Sequence, residues 1–549
     1  MAISDLAFRA AMATMGRSAL HRLLTAARDP RAAQVRALAG ILAANATTSF
    51  GRAHGFAALR DVDTYRTAVP IRDYEALRPW IDRQIGGEAA VTADKVLMYA
   101  RTSGTTAEPK RLPVTVRTLE QMKRAQRAMA YVQHRACPMF AGRVLAVAGA
   151  TREETTPDGT PAGSVTGLIY ETMPWVVRRK YVVPPEVFSI ENAELKFGVV
   201  LRLALQHGDL TAVSAANPST FLRLRDYSRQ HWSTLIPEIA DGTFRAADVL
   251  PPGQREAVKS ALFRAPERAR ELEAKAGAGE PTVGDLWPRL AGIMTWTGGS
   301  CALAADVVRA AVPATTRIIE AGYVASELRG TVVIDAERGL ALPVLEDVFF
   351  EFVPVEDWDA GSRETLLLHE LEPGRDYQVI FTTAGGLYRY WINDVLRAGP
   401  KIGDTPTLTF MRKGRGVTNI TGEKLTEQQV NAAIQFVARH NGHGIPFHLV
   451  LADEEKSSYL ALLEIEGPAH AATVAESLEA QLRETNIEYA SKRSSGRLGA
   501  MKVALLRAGA GAAYRRACVA RGQRDSQFKV LALQYARECS FDFSTWWSE

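Results

Sequence analysis

Val96-Leu97-Met98-Tyr99-Ala100-Arg101-Thr102-Ser103-Gly104-Thr105-Thr106-Ala107-Glu108-Pro109-Lys110 runs a short apolar strand straight into a loop crowded with hydroxyls. Val96 to Tyr99 has the length and apolar character of a buried strand. The loop then places Thr102, Ser103, Thr105 and Thr106 around Gly104 and closes on Lys110. Backbone N–H groups in such a loop can surround phosphate oxygens, the hydroxyls add side-chain donors, and the lysine supplies a compensating charge. The two glycines four residues apart and the Gly-Lys-Ser/Thr end of the common nucleotide loop are missing, which argues against kinase-type or GTPase-type chemistry. Taken by itself, the loop also fits a polar surface turn.

Working outward, Val144 to Val147 reads as another apolar strand, followed by helical stretches around 190–235 and 254–275. Ile318-Ile319, Val332-Val333-Ile334, Val348 to Val353 and Tyr377 to Phe381 read as further strands. Strands separated by helices of this length predict an α/β architecture with largely parallel sheets. Toward the N-terminus, Leu20, Leu23 and Leu24, then Leu38, Ile41 and Leu42, sit at helical spacing and predict two amphipathic helices packed on the main body. A second unit begins near Arg412. It reads as helix (427–440), strands (447–452 and 459–464), helix (471–484), strand (503–506) and helix (511–521), a compact α+β domain. Thr426 can cap the first of these helices, with Gln429 where a capping box needs it. The expected division is an N-terminal domain over 1–411 and a C-terminal domain over 412–549.

A chain of 549 residues exceeds one ordinary core, which supports two domains. Hydrophobic residues at 47% and charged residues at 23% match a folded, water-soluble protein. A net charge of +5, from 66 basic and 61 acidic residues, does not mark a nucleic-acid binder. The four cysteines, Cys137, Cys301, Cys518 and Cys539, lack metal-ligand spacing and fit a reducing compartment. Asp5, Arg9 and Arg17 interrupt the apolar residues at the N-terminus, unlike a signal peptide. No apolar run reaches the roughly 18 residues of a membrane span. A cytoplasmic protein with no membrane and no obligate protein partner is expected.

Thr102 to Lys110 resembles the phosphate loop of the adenylate-forming superfamily, which includes acyl-CoA synthetases, luciferases and peptide-synthetase adenylation domains. Ala107 stands where that superfamily usually has glycine. Thr297-Gly298-Gly299-Ser300 looks like its glycine turn, which lines the acyl and adenine pocket. Gly322-Tyr323-Val324-Ala325-Ser326-Glu327 is similar to its Tyr-Gly-x-Ser/Thr-Glu segment. The segment Tyr377 to Val395, with Thr382-Thr383, Gly386-Leu387-Tyr388-Arg389-Tyr390 and Asn393-Asp394-Val395, resembles one branch: the acyl acid amido synthetases of plant auxin-responsive genes, the Gretchen Hagen family. Asn393 replaces the branch's glycine, and asparagine tolerates the left-handed backbone such a turn uses. Phe350 to Pro354, Phe410-Met411-Arg412, Ile420 to Glu427, Asn486 to Tyr489 and Gly522 to Lys529 are similar to the same branch.

That resemblance implies a large N-terminal adenylate-forming domain, built of sheets and a β-barrel-like subdomain with flanking helices, and a small mobile α+β C-terminal domain. It implies ATP and Mg²⁺, with small-molecule carboxylic acid and amine (amino acid) substrates. Thr102, Ser103, Gly104, Thr105, Thr106 and Lys110 would bind phosphates. Tyr323, Ser326, Asp394 and Arg412 would bind adenine and ribose, with Tyr323 stacking on the base and Asp394 accepting from the ribose hydroxyls. Glu327 would hold Mg²⁺, and Lys529 would be the catalytic lysine of adenylation. Gly298, Gly299, Ser300, Tyr170 and Trp175 are candidates for the acyl pocket. Two other readings stay open: an acyl-CoA synthetase, and a non-catalytic acyl- or nucleotide-binding protein. His440, His443 and His448 lack Cys or carboxylate companions at ligand spacing and read as a polar loop rather than a metal site. No Gly-x-Ser-x-Gly elbow points to an esterase.

Overall fold

After a π-helical segment (Met12–Gly16) come two helices, α1 (Arg17–Ala26) and α2 (Pro30–Asn45). Asp29 caps α2 by accepting from the Ala32 N–H at 3.0 Å, and Pro30 occupies the first turn, where no N–H is needed. Gln34, fully buried on α2, donates to the carbonyls of Leu345 (2.7 Å) and Val348 (2.8 Å) and accepts from the Phe350 N–H (2.7 Å). These bonds fix the helix to the main body, as its apolar face anticipates. The computed structural model describes residues 8–548 apart from 9, 103–109, 278–281, 299–300, 415, 419, 421–422, 424, 495, 497, 522–524 and 526–527.

The chain forms two compact units: residues 1–297, 307–392 and 396–409, and residues 298–306, 393–395 and 410–549. The strands run in chain order as β1 (Val96–Thr102), β2 (Lys110–Thr115), β3 (Arg143–Ala146), β4 (Glu154–Thr155), β5 (Pro161–Gly163), β6 (Leu210–Ser214), β7 (Gly292–Thr295) and β8 (Arg317–Glu320). β9 (Thr331–Asp335), β10 (Leu340–Pro343), β11 (Val348–Pro354), β12 (Asp376–Thr383), β13 (Tyr390–Ile402) and β14 (Thr405–Lys413) follow. α3 (Val116–Ala136), capped by Thr115, leaves β2 directly.

In this first part β3-β6-β7-β8 is parallel throughout, with Val144 opposite Ala212, Val213 opposite Ile293 and Ile293 opposite Ile318, and β1 also runs parallel to β5, Tyr99 opposite Ala162. β1 pairs antiparallel with β2, and β11 antiparallel with β12, so the expectation of largely parallel sheets holds for one sheet and not for its neighbours. The stretch around 190–235 is also not continuous helix. It divides into α4 (Ala193–Leu205), β6 and α5 (Ser219–Asp241). Thr211-Ala212-Val213 is a central strand of the parallel sheet, buried on both faces, and such a short apolar run carries no period of its own. Pro266 separates the helix Pro252–Ala261 from the helix Pro266–Gly277 in the 254–275 stretch.

In the second unit the expected order appears: α6 (Glu427–Asn441), β17 (Gly444–Asp453) and β18 (Ser458–Glu466), with the short pair β15 (Val417–Thr418) and β16 (Leu425–Thr426) before them. α7 (Ala471–Thr485), β19 (Lys502–Leu506), α8 (Ala510–Ala520) and β20 (Leu533–Tyr535) complete it. The Thr426/Gln429 capping box forms, with both exchanges at 3.1–3.2 Å, and Gly442 ends α6 at φ 68°. Alternation along β17 gives the sheet two apolar faces. Val450 and Ala452 join Val430, Ile434, Val474 and Leu478 of α6 and α7. Phe447 and Leu449 join Ala510, Tyr514 and Cys518 of α8.

Candidate active site

Three distant parts of the chain meet at one hydroxyl in the first unit. Lys110, opposite Thr102 at the start of β2, donates from Nζ to the Tyr390 hydroxyl at 3.3 Å. Its ammonium also lies 5.5 Å from the Tyr74 ring centre and 6.0 Å from that of Tyr390. The Tyr390 hydroxyl in turn donates to Glu327 Oε1 at 3.5 Å, a long and weak bond. Tyr390 is fully buried at the start of β13, while Lys110 and Glu327 keep accessible surface. A cation, a hydroxyl and a carboxylate therefore face one place.

Glu327 belongs to a tight hairpin. Gly322 enters it at φ 79°, Tyr323 receives both the Gly330 N–H (2.9 Å) and the Thr331 N–H (3.1 Å) on its carbonyl, and the Ala325 N–H donates to Leu328 at 2.9 Å. The Tyr323 ring lies against Gly330: a Cβ there would sit 2.3 Å from Cδ1, so only glycine fits. Ser326 sits on the same hairpin. Glu320 braces its base, accepting from the Thr297 N–H at 2.8 Å and the Gly322 N–H at 2.9 Å, while Trp296 Nε1 donates to the Gly322 carbonyl at 3.2 Å.

The most motif-like segment, 377–395, divides its residues between core and site. The Tyr388 hydroxyl donates to the Val91 carbonyl, and its buried ring stacks on Phe50 at 4.6 Å. Arg389, at the left-handed φ of 44°, is held by Glu351 through Nε at 2.9 Å and Nη2 at 3.1 Å, and donates to the carbonyls of Arg66 and Val69. Glu351, fully buried, also accepts from Arg66 at 3.1 Å and Thr365 at 2.6 Å. The Phe350-Glu351-Phe352 match thus serves the turn that presents Tyr390. Asn393 adopts φ 61°.

Asp394, buried at 2% exposure, and Lys529 belong to the second unit. Lys529 is exposed, with its ammonium 5.5 Å from the centre of the Phe410 ring. Arg412 lies in β14 and Thr102 ends β1, but both side chains fall outside the described residues, as do Ser103, Gly104, Thr105, Thr106, Gly299 and Ser300. Gly298 accepts from the Cys301 N–H at 3.2 Å. Tyr170 is taken up by the core: its hydroxyl donates to the Val183 carbonyl and its ring packs edge-on against Tyr181 and Phe188. Trp175 is 62% exposed beneath the Arg179 guanidinium. Asn486 is structural, donating to Glu423 and Gln429 and accepting from the Tyr489 N–H. His448 is buried against Asn431 (2.7 Å), and burial pushes its imidazole down to about 4.

Tyr390, which joins Lys110 and Glu327, lies inside the motif segment without being singled out by it. The pattern names the tyrosine but not the direction of its hydroxyl. Among the described residues no cluster of three His, Cys, Asp or Glu side chains can cage a metal. One accessible carboxylate, Glu327, beside a phosphate-type lysine suits Mg²⁺, which commonly takes one or two carboxylates and completes its shell with substrate phosphates and water.

The fold that carries this cluster is one used by acyl acid amido synthetases. The GH3.15 acyl acid amido synthetase in complex with 2,4-DB superposes with a TM-score of 0.84 over 95% of each chain, at 20% identity. The chain belongs to the GH3 acyl acid amido synthetase family: it matches the GH3 N-terminal domain over 19–316, the central domain over 341–413 and the C-terminal domain over 427–538. Among curated relatives, the "Probable indole-3-acetic acid-amido synthetase GH3.12" of Oryza sativa subsp. japonica is 27% identical, covering 92% of this chain and 91% of its own. The jasmonoyl–L-amino acid synthetase GH3.5 of the same rice is 24% identical, with 88% of each chain covered.

Proposed function

We propose that this chain is an ATP-dependent acid–amine ligase. It converts a carboxylic acid and ATP to an acyl-adenylate and pyrophosphate, then passes the acyl group to an amine, an amino acid, releasing AMP and a proton. The convergence of Lys110, Tyr390 and Glu327 carries the reading, because it joins three motif segments at one polar point.

A carboxylate ionised at neutral pH attacks the α-phosphorus without a general base. The obstacle is anion approaching anion, with further charge leaving on pyrophosphate. The residues answer with positioning and positive charge. Lys110 and the Thr102, Ser103, Gly104, Thr105 and Thr106 loop hold phosphate oxygens. Tyr323 and Ser326 receive adenine, and Asp394 and Arg412 the ribose. Gly298, Gly299 and Ser300 line the acyl side with Trp175, while Tyr170 is taken up by the core. Lys529 supplies a cation for adenylation. Glu327 would hold Mg²⁺, which when bound neutralises phosphate charge. The proposed domains are 1–411, which carries most of these groups, and 412–549, which moves between the half-reactions; the enzyme works in the cytoplasm.

The family's amido-synthetase relatives favour an amine over coenzyme A as acceptor. Incubating the enzyme with ATP, Mg²⁺, an accepted acid and either amino acids or coenzyme A, with mass detection, decides between them. An amide is the expected product. A thioester alone would replace this reading with an acyl-CoA synthetase.

A further inference from the structure

The hairpin bearing Tyr323 and Glu327 also bears Arg329, whose backbone bridges to Val324 across the turn. Its guanidinium reaches the fully buried Met129 on α3, donating from Nη2 to the thioether sulfur. Its Nε has no hydrogen-bond partner, and no carboxylate pairs with it among the described residues. A guanidinium keeps its charge at neutral pH. The side chain keeps accessible surface. A thioether is a weak acceptor and cannot neutralise a cation. A charge held at depth without a counter-ion is costly, and such sites are completed by an anion. Two residues from Glu327, that anion would belong to a substrate.

We propose that Arg329 reads a second anionic group on the acyl substrate, so that the acid adenylated is a dicarboxylate or an equivalent dianion. This rests on the acid-adenylating reading above. One carboxylate reacts, and the other pairs with Arg329 in the bidentate fashion guanidinium favours. The requirement selects against monoacids of similar size, because binding one leaves the buried cation unpaired.

The test uses matched acids, benzoate with isophthalate and hexanoate with adipate, on the full chain as wild type, Arg329→Gln and Arg329→Lys. Acid binding is followed by calorimetry and use by pyrophosphate exchange. Wild type should favour each diacid by about tenfold or more. Arg329→Gln should erase that preference by weakening the diacid while the monoacid binds as well as or better than to wild type, with Arg329→Lys between them. Equal losses for both acids would assign Arg329 to the reacting carboxylate, and unchanged preference would remove it from the site; either overturns the proposal. If Arg329→Gln does not fold, a wild-type preference for monoacids would overturn it equally. Arg329-dependent diacid binding without exchange would keep the anion site and reject adenylation.

Discussion

At the scale of residues, the site turns on the Tyr390 hydroxyl between Lys110 and Glu327. Removing one hydrogen bond of this kind usually costs about 1 kcal/mol. Tyr390→Phe should therefore lower kcat/KM for adenylation about fivefold and raise the Mg²⁺ needed for half-maximal rate, with the melting temperature little changed. Unaltered Mg²⁺ dependence would show that the hydroxyl positions neither neighbour. Asp394→Ala should abolish ATP binding and turnover while circular dichroism stays native; near-normal kinetics would refute the ribose role. The phosphate role proposed for the hydroxyls, glycine and lysine near residue 105 was read from composition. Arg329 announces nothing, because a buried cation is known by the partner it lacks, and only packing shows that.

At the scale of elements, Phe350-Glu351-Phe352 and Leu387-Tyr388-Arg389 turn out to be one support. Glu351 on β11 holds Arg389 in its left-handed turn, and the turn aims Tyr390. Glu351→Ala leaves a guanidinium buried without its partner, a change that commonly costs about 3–5 kcal/mol. Urea unfolding should show a loss of that order; a loss below about 1 kcal/mol would mean the pair is dispensable. The longer strands and helices of the second unit were legible because each apolar period and the Thr426 cap agree, whereas the helix Ile487–Ser494 and the two- and three-residue strands β15, β16 and β20 are too short to show a period. β6 was not, since Thr211-Ala212-Val213 is buried on both faces and sits between two helices whose pattern runs over it. The left-handed backbone at Asn393 was legible, because few side chains tolerate it.

At the scale of the whole molecule, acid should destabilise the C-terminal domain through His448. Above pH 6.5 its imidazole is neutral in both states, and below about 4 it is protonated in both. Between those values only the unfolded chain takes up the proton, so stability falls with pH by up to about 3 kcal/mol. His448→Gln should flatten the urea midpoint between pH 6.5 and 4; an unchanged slope would assign it to other groups. Lys529, in the second unit, should matter to one half-reaction only. Lys529→Ala should slow adenylation far more than acyl transfer from a supplied acyl-adenylate, and equal losses would sink that assignment. Among the described residues no helix is long and apolar enough to cross a membrane.

Acid-dependent exchange of labelled pyrophosphate into ATP reports adenylation directly, because it requires a reversible acyl-adenylate and no acceptor. With Mg²⁺ and a panel of aromatic and aliphatic mono- and dicarboxylic acids, at least one acid should drive exchange, and Glu327→Gln should depress it about a hundredfold or more. ATP binding without exchange across the whole panel would contradict the ligase and leave a nucleotide-binding protein.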